Sequence, residues 1–115
     1  MGYRSDVTIG VTKVLYTKAV LLENIPNALK NVTKLETTHS VYWQIEGWKW
    51  YDSYPEVMDI IEWFNWCFDE TENDDSYETT YGAMRLGEEY GDIEEWGHPS
   101  DFDIYSSQYI SSPFS

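Results

Sequence analysis

The first hydrophobic pattern along the chain is a strict alternation near its amino terminus. Val7, Ile9 and Val11 are separated by small or polar residues, so every second side chain is apolar. Because successive side chains of a β-strand point to opposite faces, this alternation predicts a half-buried strand over residues 5–15.

A helical pattern follows this strand. Thr17 precedes a group of apolar residues at helical spacing, so we expect it to cap a helix that begins at residue 18. Pro26 lacks an amide hydrogen and is predicted to kink or restart that helix, whose apolar face then continues over residues 28–32.

A second strand is predicted over residues 35–51, where the hydrophobic pattern changes phase at Gly47. The large residues occupy odd positions before this glycine and even positions after it, namely Val41, Trp43 and Ile45, then Trp48 and Trp50. A β-bulge at Gly47 would turn both sets toward the core. A strand that is apolar on both faces is the alternative.

The clearest helical pattern starts at residues 53–56, where Ser-Tyr-Pro-Glu fits a capping box with proline in the first turn. At ~100° per residue, Trp66 points away from the apolar stripe and toward Asp59 and Glu62, which predicts an exposed tryptophan in acidic surroundings. The stripe itself consists of Val57, Ile60, Ile61, Phe64 and Phe68, with Cys67 beside it.

The rest of the chain alternates between acidic connections and short strands. Residues 69–76 are polar and acidic and predict a loop, and residues 77–86 predict a third strand. A second acidic connection is predicted over residues 87–100, with a short helical turn at 92–96. Alternating aromatic and aliphatic residues predict a last strand over residues 101–110.

The predicted order strand–helix–strand–helix–strand–strand is typical of an α+β fold. We expect one small domain over residues 1–110, with an antiparallel or mixed sheet of about four strands and two helices on one face. The serine-rich residues 111–115 are predicted to form a flexible tail.

Charge is distributed very unevenly along the chain, whose formal net charge is −14. Residues 1–50 hold six of the seven basic residues and four acids, whereas residues 51–115 hold seventeen acids against Arg85 alone. Self-repulsion on this scale opposes a compact state. Such an asymmetry on a small domain favours a surface that binds a basic partner, while solvated loops that maintain solubility are the alternative.

Composition excludes several classes of function. A chain of pI 4.2 would repel nucleic acid phosphates, so direct nucleic acid binding is not expected. The one cysteine allows neither an intrachain disulfide nor a thiolate metal cluster. The sequence has no apolar run of membrane-spanning length and no secretory leader pattern, so a cytoplasmic location is predicted and the glycosylation acceptor at Asn31 is expected to be unused.

Neither a catalytic motif nor a metal-binding motif is recognisable. His39, His98 and Cys67 lack the neighbours of a nucleophile motif, so we expect no enzyme activity and no cofactor. An EF-hand loop that started at Asp69 would place threonine at its twelfth position, where calcium sites require glutamate. Weak association with Mg²⁺ or Ca²⁺ stays open.

The acids after the second predicted strand are interleaved with aromatic residues, which is a mixture of charge and stacking surface similar to that of a nucleic acid strand. Tryptophan and tyrosine are also enriched at binding surfaces. The predicted partner-binding residues are Asp59, Glu62, Trp66, Asp69, Glu70, Glu72, Asp74, Asp75, Glu88, Glu89, Asp92, Glu94, Glu95 and Trp96.

Four further segments of the chain stand out, namely GYRSDV at residues 2–7, WYDSYPEV at 50–57, RLGE at 85–88 and FDIY at 102–105. Together they resemble a group of small acidic proteins encoded by bacteriophages and prophages. The resemblance implies a context in which small phage proteins bind and block a host machine, such as a restriction enzyme, a CRISPR effector or RNA polymerase.

Three hypotheses follow for the function. The first is a non-enzymatic inhibitor in the host bacterial cytoplasm that occupies a basic, nucleic acid-binding surface of a host protein, with an anti-CRISPR or other anti-defence role as its most concrete form. The second is a protein-interaction or assembly module that uses an exposed aromatic surface, with the acids serving solubility. The third is a homo-oligomer with Trp63 and Trp66 at the self-interface.

Overall fold

The computed structural model describes residues 4–74, 78–89, 91–106, 110–111 and 113 of the chain. The elements in chain order are β1 (Arg4–Thr12), α1 (Lys13–Leu22), a first 3₁₀ turn (Asn27–Asn31), β2 (Thr33–Glu36), β3 (Ser40–Lys49), α2 (Pro55–Glu72), β4 (Tyr81–Leu86), β5 (Ile93–Gly97), a second 3₁₀ turn (Pro99–Phe102), β6 (Tyr105–Ser106) and β7 (Ile110–Ser111).

The described strands form an antiparallel five-stranded sheet in the order β2-β3-β1-β4-β5, and β6 pairs with β7 in a separate two-stranded ribbon. The buried residues of α1 and α2 belong to one core cluster together with alternate residues of β1, β3 and β4. The α+β prediction is therefore confirmed, with one strand more in the main sheet than expected. Residues 112, 114 and 115 of the predicted tail lie outside the described residues.

Strand β1 is buried on both faces, not on one as its alternation predicted. Its apolar face, with Val7 and Ile9 fully buried, packs under the helices. The opposite face is covered by a second, smaller cluster that contains Phe102 and Met84, and for this reason Thr8 and Gly10 are also buried. A side chain at position 10 would collide with the Phe102 ring, which explains the glycine there.

The first helix begins earlier than its sequence pattern predicts. Helix α1 starts at Lys13 directly after β1, so residues 13–15 are helical and the predicted strand is too long. Thr17 therefore lies inside the helix, and its hydroxyl donates a hydrogen bond to the Lys13 carbonyl instead of capping. The helix ends at Leu22, and after Pro26 the chain forms only the first 3₁₀ turn.

The predicted second strand is a hairpin, β2 and β3, with a bulge at Gly47. Two residues of β3 stand opposite Asp6 of β1, and Gly47 has a φ of 68°, which favours glycine. The Gly47 amide donates to Asp6 Oδ1 at 2.9 Å. The bulge prediction is confirmed, because Trp43 before it and Trp50 after it both lie in the core under the helices.

Helix α2 has the predicted position but not the predicted cap. Its N-cap residue is Tyr54, which makes no side-chain capping hydrogen bond, so the capping box prediction is wrong; Pro55 occupies the first turn as expected. The buried stripe includes Trp63, which packs edge-on against Trp43 with ring centroids 5.6 Å apart. Phe68, predicted to be in the stripe, is half exposed.

The carboxy-terminal half differs most from its sequence pattern. The helical turn predicted at residues 92–96 is instead the edge strand β5, which pairs with β4 from Ile93 to Gly97. This pairing places the Trp96 side chain against the core. The strand predicted over 101–110 begins instead with the second 3₁₀ turn, and among its described residues the strand segments belong to β6 and β7. Residues 75–77 and 107–109 lie outside the described residues.

Candidate functional site

The structure distributes the predicted site residues over three places. Asp75 lies outside the described residues. The α2 face carries Asp59, Glu62, Trp66 and Asp69; the carboxyl end of α2 carries Glu70, Glu72 and Asp74; the β4–β5 hairpin carries Glu88, Glu89, Asp92, Glu94, Glu95 and Trp96.

The α2 face, defined as Asp59, Glu62, Trp66 and Asp69, is one continuous strip of helix surface. At ~100° and 1.5 Å per residue these positions fall within ~80° of arc and span ~15 Å along the axis. The three carboxylate residues are exposed, and none forms an ion pair with any other residue that the structure describes. Their charge is therefore available to a partner.

Trp66 is less exposed than its position on the helix predicts. Its ring lies nearly parallel to that of Trp63, with centroids 6.4 Å apart and planes inclined by 16°, and the side chain is half-buried. Trp63 is fixed in turn by Trp43 and by a hydrogen bond from its Nε1 to Asn24 Oδ1 at 3.2 Å. Packing thus explains much of the position of Trp66, contrary to the prediction of an exposed tryptophan.

An open pocket of about 380 Å³ lies between α2 and the loop that follows α1. Trp63 and Trp66 form its aromatic wall, Asp59 and Glu62 line it from the helix, and residues 23–27 close the other side. We call this the α2 pocket. Sequence analysis missed residues 23–27, because only folding brings this loop beside α2.

At the carboxyl end of α2 the acids have different surroundings. Glu70 forms an ion pair with Lys18 of α1 at 2.8 Å. Glu72 and Asp74 line a second open pocket, of about 510 Å³, together with His98. Among the described residues, no group of three or more histidine, cysteine or acidic side chains is arranged to hold a metal ion.

In the β4–β5 hairpin two of the predicted acids hold Arg85, the basic residue of the acidic half. Its guanidinium contacts Asp92 at 2.6 Å and Glu94 at 2.8 Å and also donates to the Ser5 hydroxyl at 2.9 Å. Burial opposes the charge of Arg85, but these hydrogen bonds and carboxylates outweigh burial and raise its pKa. The Arg85 hydrogen bond likewise lowers the pKa of Asp92.

The remaining hairpin acids do not share one surface. Glu88 accepts a hydrogen bond from the Arg4 backbone amide at 2.9 Å, and Glu89 is exposed beside it. Glu95 stands opposite Met84, on the sheet face away from the helices, whereas Glu94 lies on the helix side. Glu94 and Glu95, both predicted to bind the partner, therefore lie on opposite faces of the sheet.

Trp96 and Trp66 lie on opposite flanks of α2. Trp96 is half-buried against Phe64, with ring centroids 5.1 Å apart, in the part of the core below β5. Trp66 packs through Trp63 toward Trp43 on β3. The Trp63 and Phe64 rings lie between the two tryptophans, and Trp96 also packs against Trp50, with ring centroids 6.2 Å apart.

The one thiol is unsuited to nucleophilic chemistry. Cys67 is fully buried on the core side of α2, and burial raises its pKa far above the ordinary value. The thiol therefore stays protonated at neutral pH.

The described part of the chain contains no helix long and apolar enough to cross a membrane. Comparison with protein-family models, with curated proteins and with solved structures finds no match to this chain. The resemblance to small acidic phage proteins stays a prediction.

Proposed function

We propose that this chain is a non-enzymatic inhibitor that binds a basic, nucleic acid-binding surface of another protein and competes there with nucleic acid. The α2 face is the contact surface. Its unpaired carboxylates supply steering and complementarity, and the exposed part of Trp66 supplies an apolar contact between them.

The observation that carries this proposal is the charge at the end of α2. The last turn contains Asp69, Glu70 and Glu72 and no basic residue, although carbonyl groups give this end of a helix a partial negative charge. Lys18 of α1 pairs with Glu70, but Asp69 and Glu72 form no ion pair with the described residues and cost ~0.3–1 kcal/mol each. The pairs Asp59–Glu62 and Asp69–Glu72, three residues apart, add like-charge repulsion. Acids placed against local stability favour a role in binding.

The hairpin acids support the proposal much less than the α2 face does. Asp92 and Glu94 are engaged by Arg85, and Glu88 by the Arg4 amide. These contacts give the three acids a role within the fold. The proposed contact surface is therefore smaller than the set of acids that the sequence analysis assembled.

The resemblance to acidic phage proteins supports a specific biological setting for this binding. In that setting the chain acts in the cytoplasm of a host bacterium, its partner is a defence enzyme or another nucleic acid-binding protein, and a CRISPR effector is the most concrete example. The partner is recognised by its basic groove, which normally holds phosphates.

The test is affinity capture from bacterial lysate on the immobilised full chain, with elution by a salt gradient and with DNA or RNA as competitors. We expect a nucleic acid-binding protein that elutes at moderate salt, because exposed charges are screened over roughly 8 Å at physiological ionic strength. A captured protein that resists both salt and nucleic acid would contradict mimicry.

Two variants with the same change in net charge locate the surface. The first neutralises the three acids of the α2 face and the adjacent Glu72 as Asp59→Asn, Glu62→Gln, Asp69→Asn and Glu72→Gln; the second neutralises exposed acids elsewhere as Glu46→Gln, Asp52→Asn, Asp101→Asn and Asp103→Asn. Only the first should lose the captured partner. Equal losses would mean that net charge, and not the α2 face, determines binding.

A second candidate function rests on the apolar surface of α1. Leu21 is 79% exposed, Leu22 61% and Val14 45%, so this helix presents aliphatic side chains to solvent. Such a surface favours an interaction or assembly module, with an aliphatic contact in place of the aromatic one that the sequence suggested. Light scattering at two concentrations, before and after Leu21→Gln, tests whether α1 mediates self-association.

A further inference from the structure

We infer that the α2 pocket receives a single arginine side chain of the basic partner, stacked on the indole wall and paired with the pocket carboxylates. The inference rests on the proposed function and specifies the partner's chemistry at one point of the α2 face.

The aromatic wall of the α2 pocket is the first observation. Trp66 lines the pocket while its ring is backed by Trp63, which is itself only 4% exposed and held by Asn24. Packing therefore positions the wall before any ligand arrives, and such preorganisation lowers the entropy cost of binding. Indole faces attract cations through their quadrupole, and tryptophan does so best among the aromatic residues.

The charge around this wall is the second observation. Asp59 and Glu62 line the pocket from α2 and Glu23 lines it from the loop, while none of the described residues that line it is basic. Lys18, a cation on the neighbouring helix α1, is held by Glu70. The pocket thus combines an aromatic wall with carboxylates that have no ion pair inside the described part of the chain.

Guanidinium fits this combination better than ammonium does. It is planar and weakly hydrated, so it stacks on an indole ring while its N–H groups donate to carboxylates at the edge. A lysine ammonium is a compact, strongly hydrated charge and would lose more hydration at the indole wall. The pocket volume of about 380 Å³ lies near the lower end of the range for ligand sites, which suits one side chain.

The test uses the full chain labelled with ¹⁵N and follows the Trp66 indole N–H resonance. The probes are N-acetyl-arginine methylamide, its lysine counterpart and the neutral citrulline counterpart, which has nearly the shape of arginine. We expect a saturable shift with the arginine probe, binding at least about threefold weaker with lysine, and no saturable shift with citrulline.

Two matched double variants check the pocket carboxylates. Asp59→Asn with Glu62→Gln should weaken the arginine probe about three- to tenfold, which corresponds to two exposed ion pairs. Asp52→Asn with Asp101→Asn changes the net charge equally but does not alter the pocket, and it should leave the affinity unchanged. An equal loss in both variants would overturn the assignment, as would lysine or citrulline binding as well as arginine.

The arginine titration and the capture experiment distinguish failure of the pocket assignment from failure of the proposed function. If the arginine probe does not bind but the four-site α2 variant still loses its captured partner, the pocket assignment fails and the α2 face stands. If the probe binds as expected but no captured protein is sensitive to salt or nucleic acid, the pocket assignment stands and mimicry fails.

Discussion

Replacing Arg85 by methionine should destabilise the domain by about 2 kcal/mol. Arg85 is the one basic residue among residues 51–115, which hold seventeen acids. The side chain is only 10% exposed and bridges β1, β4 and β5 through Ser5, Asp92 and Glu94. Methionine has a similar length and fills most of the space, so the variant chiefly removes the polar contacts.

The magnitude follows from the exposure of each partner. Breaking a fully buried ion pair costs ~3–5 kcal/mol, and breaking an exposed one ~0.2–1 kcal/mol. Asp92 is 36% exposed and Glu94 is 52% exposed, so water solvates both carboxylates in the variant and each pair contributes about 0.5 kcal/mol, the middle of the exposed range. The Ser5 hydroxyl, in a residue 2% exposed, loses its partner and adds about 1 kcal/mol.

Urea unfolding followed by tryptophan fluorescence measures this difference. With a slope of ~1.5 kcal/mol per molar urea, the midpoint should fall by about 1–1.5 M. Lys18→Met is the matched control, because it breaks the more exposed Lys18–Glu70 pair and should cost less than about 1 kcal/mol. Equal midpoints for the two variants would refute the argument that burial makes Arg85 structural.

Three further predictions concern the remaining strand and helix contacts. Asp92→Asn should lower stability at neutral pH, but its difference from the unmodified chain should shrink as pH falls from 3.8 toward the lower folded pKa, because a depressed folded pKa stabilises fully only above the unfolded value; urea midpoints at pH 7 and pH 3 measure the decrease. Gly10→Ala places a methyl group 2.8 Å from the buried Phe102 ring and should cost ~1–3 kcal/mol in the same assay. Asp69→Asn with Glu72→Gln should raise stability by ~0.5–1 kcal/mol while it weakens partner binding, and unchanged stability would contradict the helix-dipole argument.

Local periodicity predicted the elements that a single stretch of chain determines. The alternation around Ile9 and the helical stripe around Phe64 indicate faces that stay buried, whatever packs against them. The bulge at Gly47 could also be predicted from the local sequence, since a bulge shifts the hydrophobic pattern within one strand.

Contacts between distant segments explain the predictions that were wrong. Strand β5 contains two glutamates, and its composition is typical of a loop. In the fold, however, Glu94 forms an ion pair with Arg85 and Trp96 packs against Phe64. Trp66 was predicted to be exposed because helix geometry alone cannot place Asn24 beside Trp63. The α2 acids of the candidate site were predictable from spacing on one helix, whereas the loop of the α2 pocket required the fold.

The charge asymmetry of the chain therefore has two physical origins. Part of the negative charge is internal to the fold, because Asp92 and Glu94 stabilise Arg85 in the hairpin. The other acids considered on α2, Asp59, Glu62, Asp69 and Glu72, form no ion pair within the described part of the chain, and at Asp69 and Glu72, at the carboxyl end of the helix, the charge opposes stability. Solubility alone would be served equally well by acids in loops, where they oppose no helix dipole. Carboxylates kept on α2, at Asp59, Glu62 and Asp69, are thus most simply explained by a cationic partner that offsets their cost upon binding.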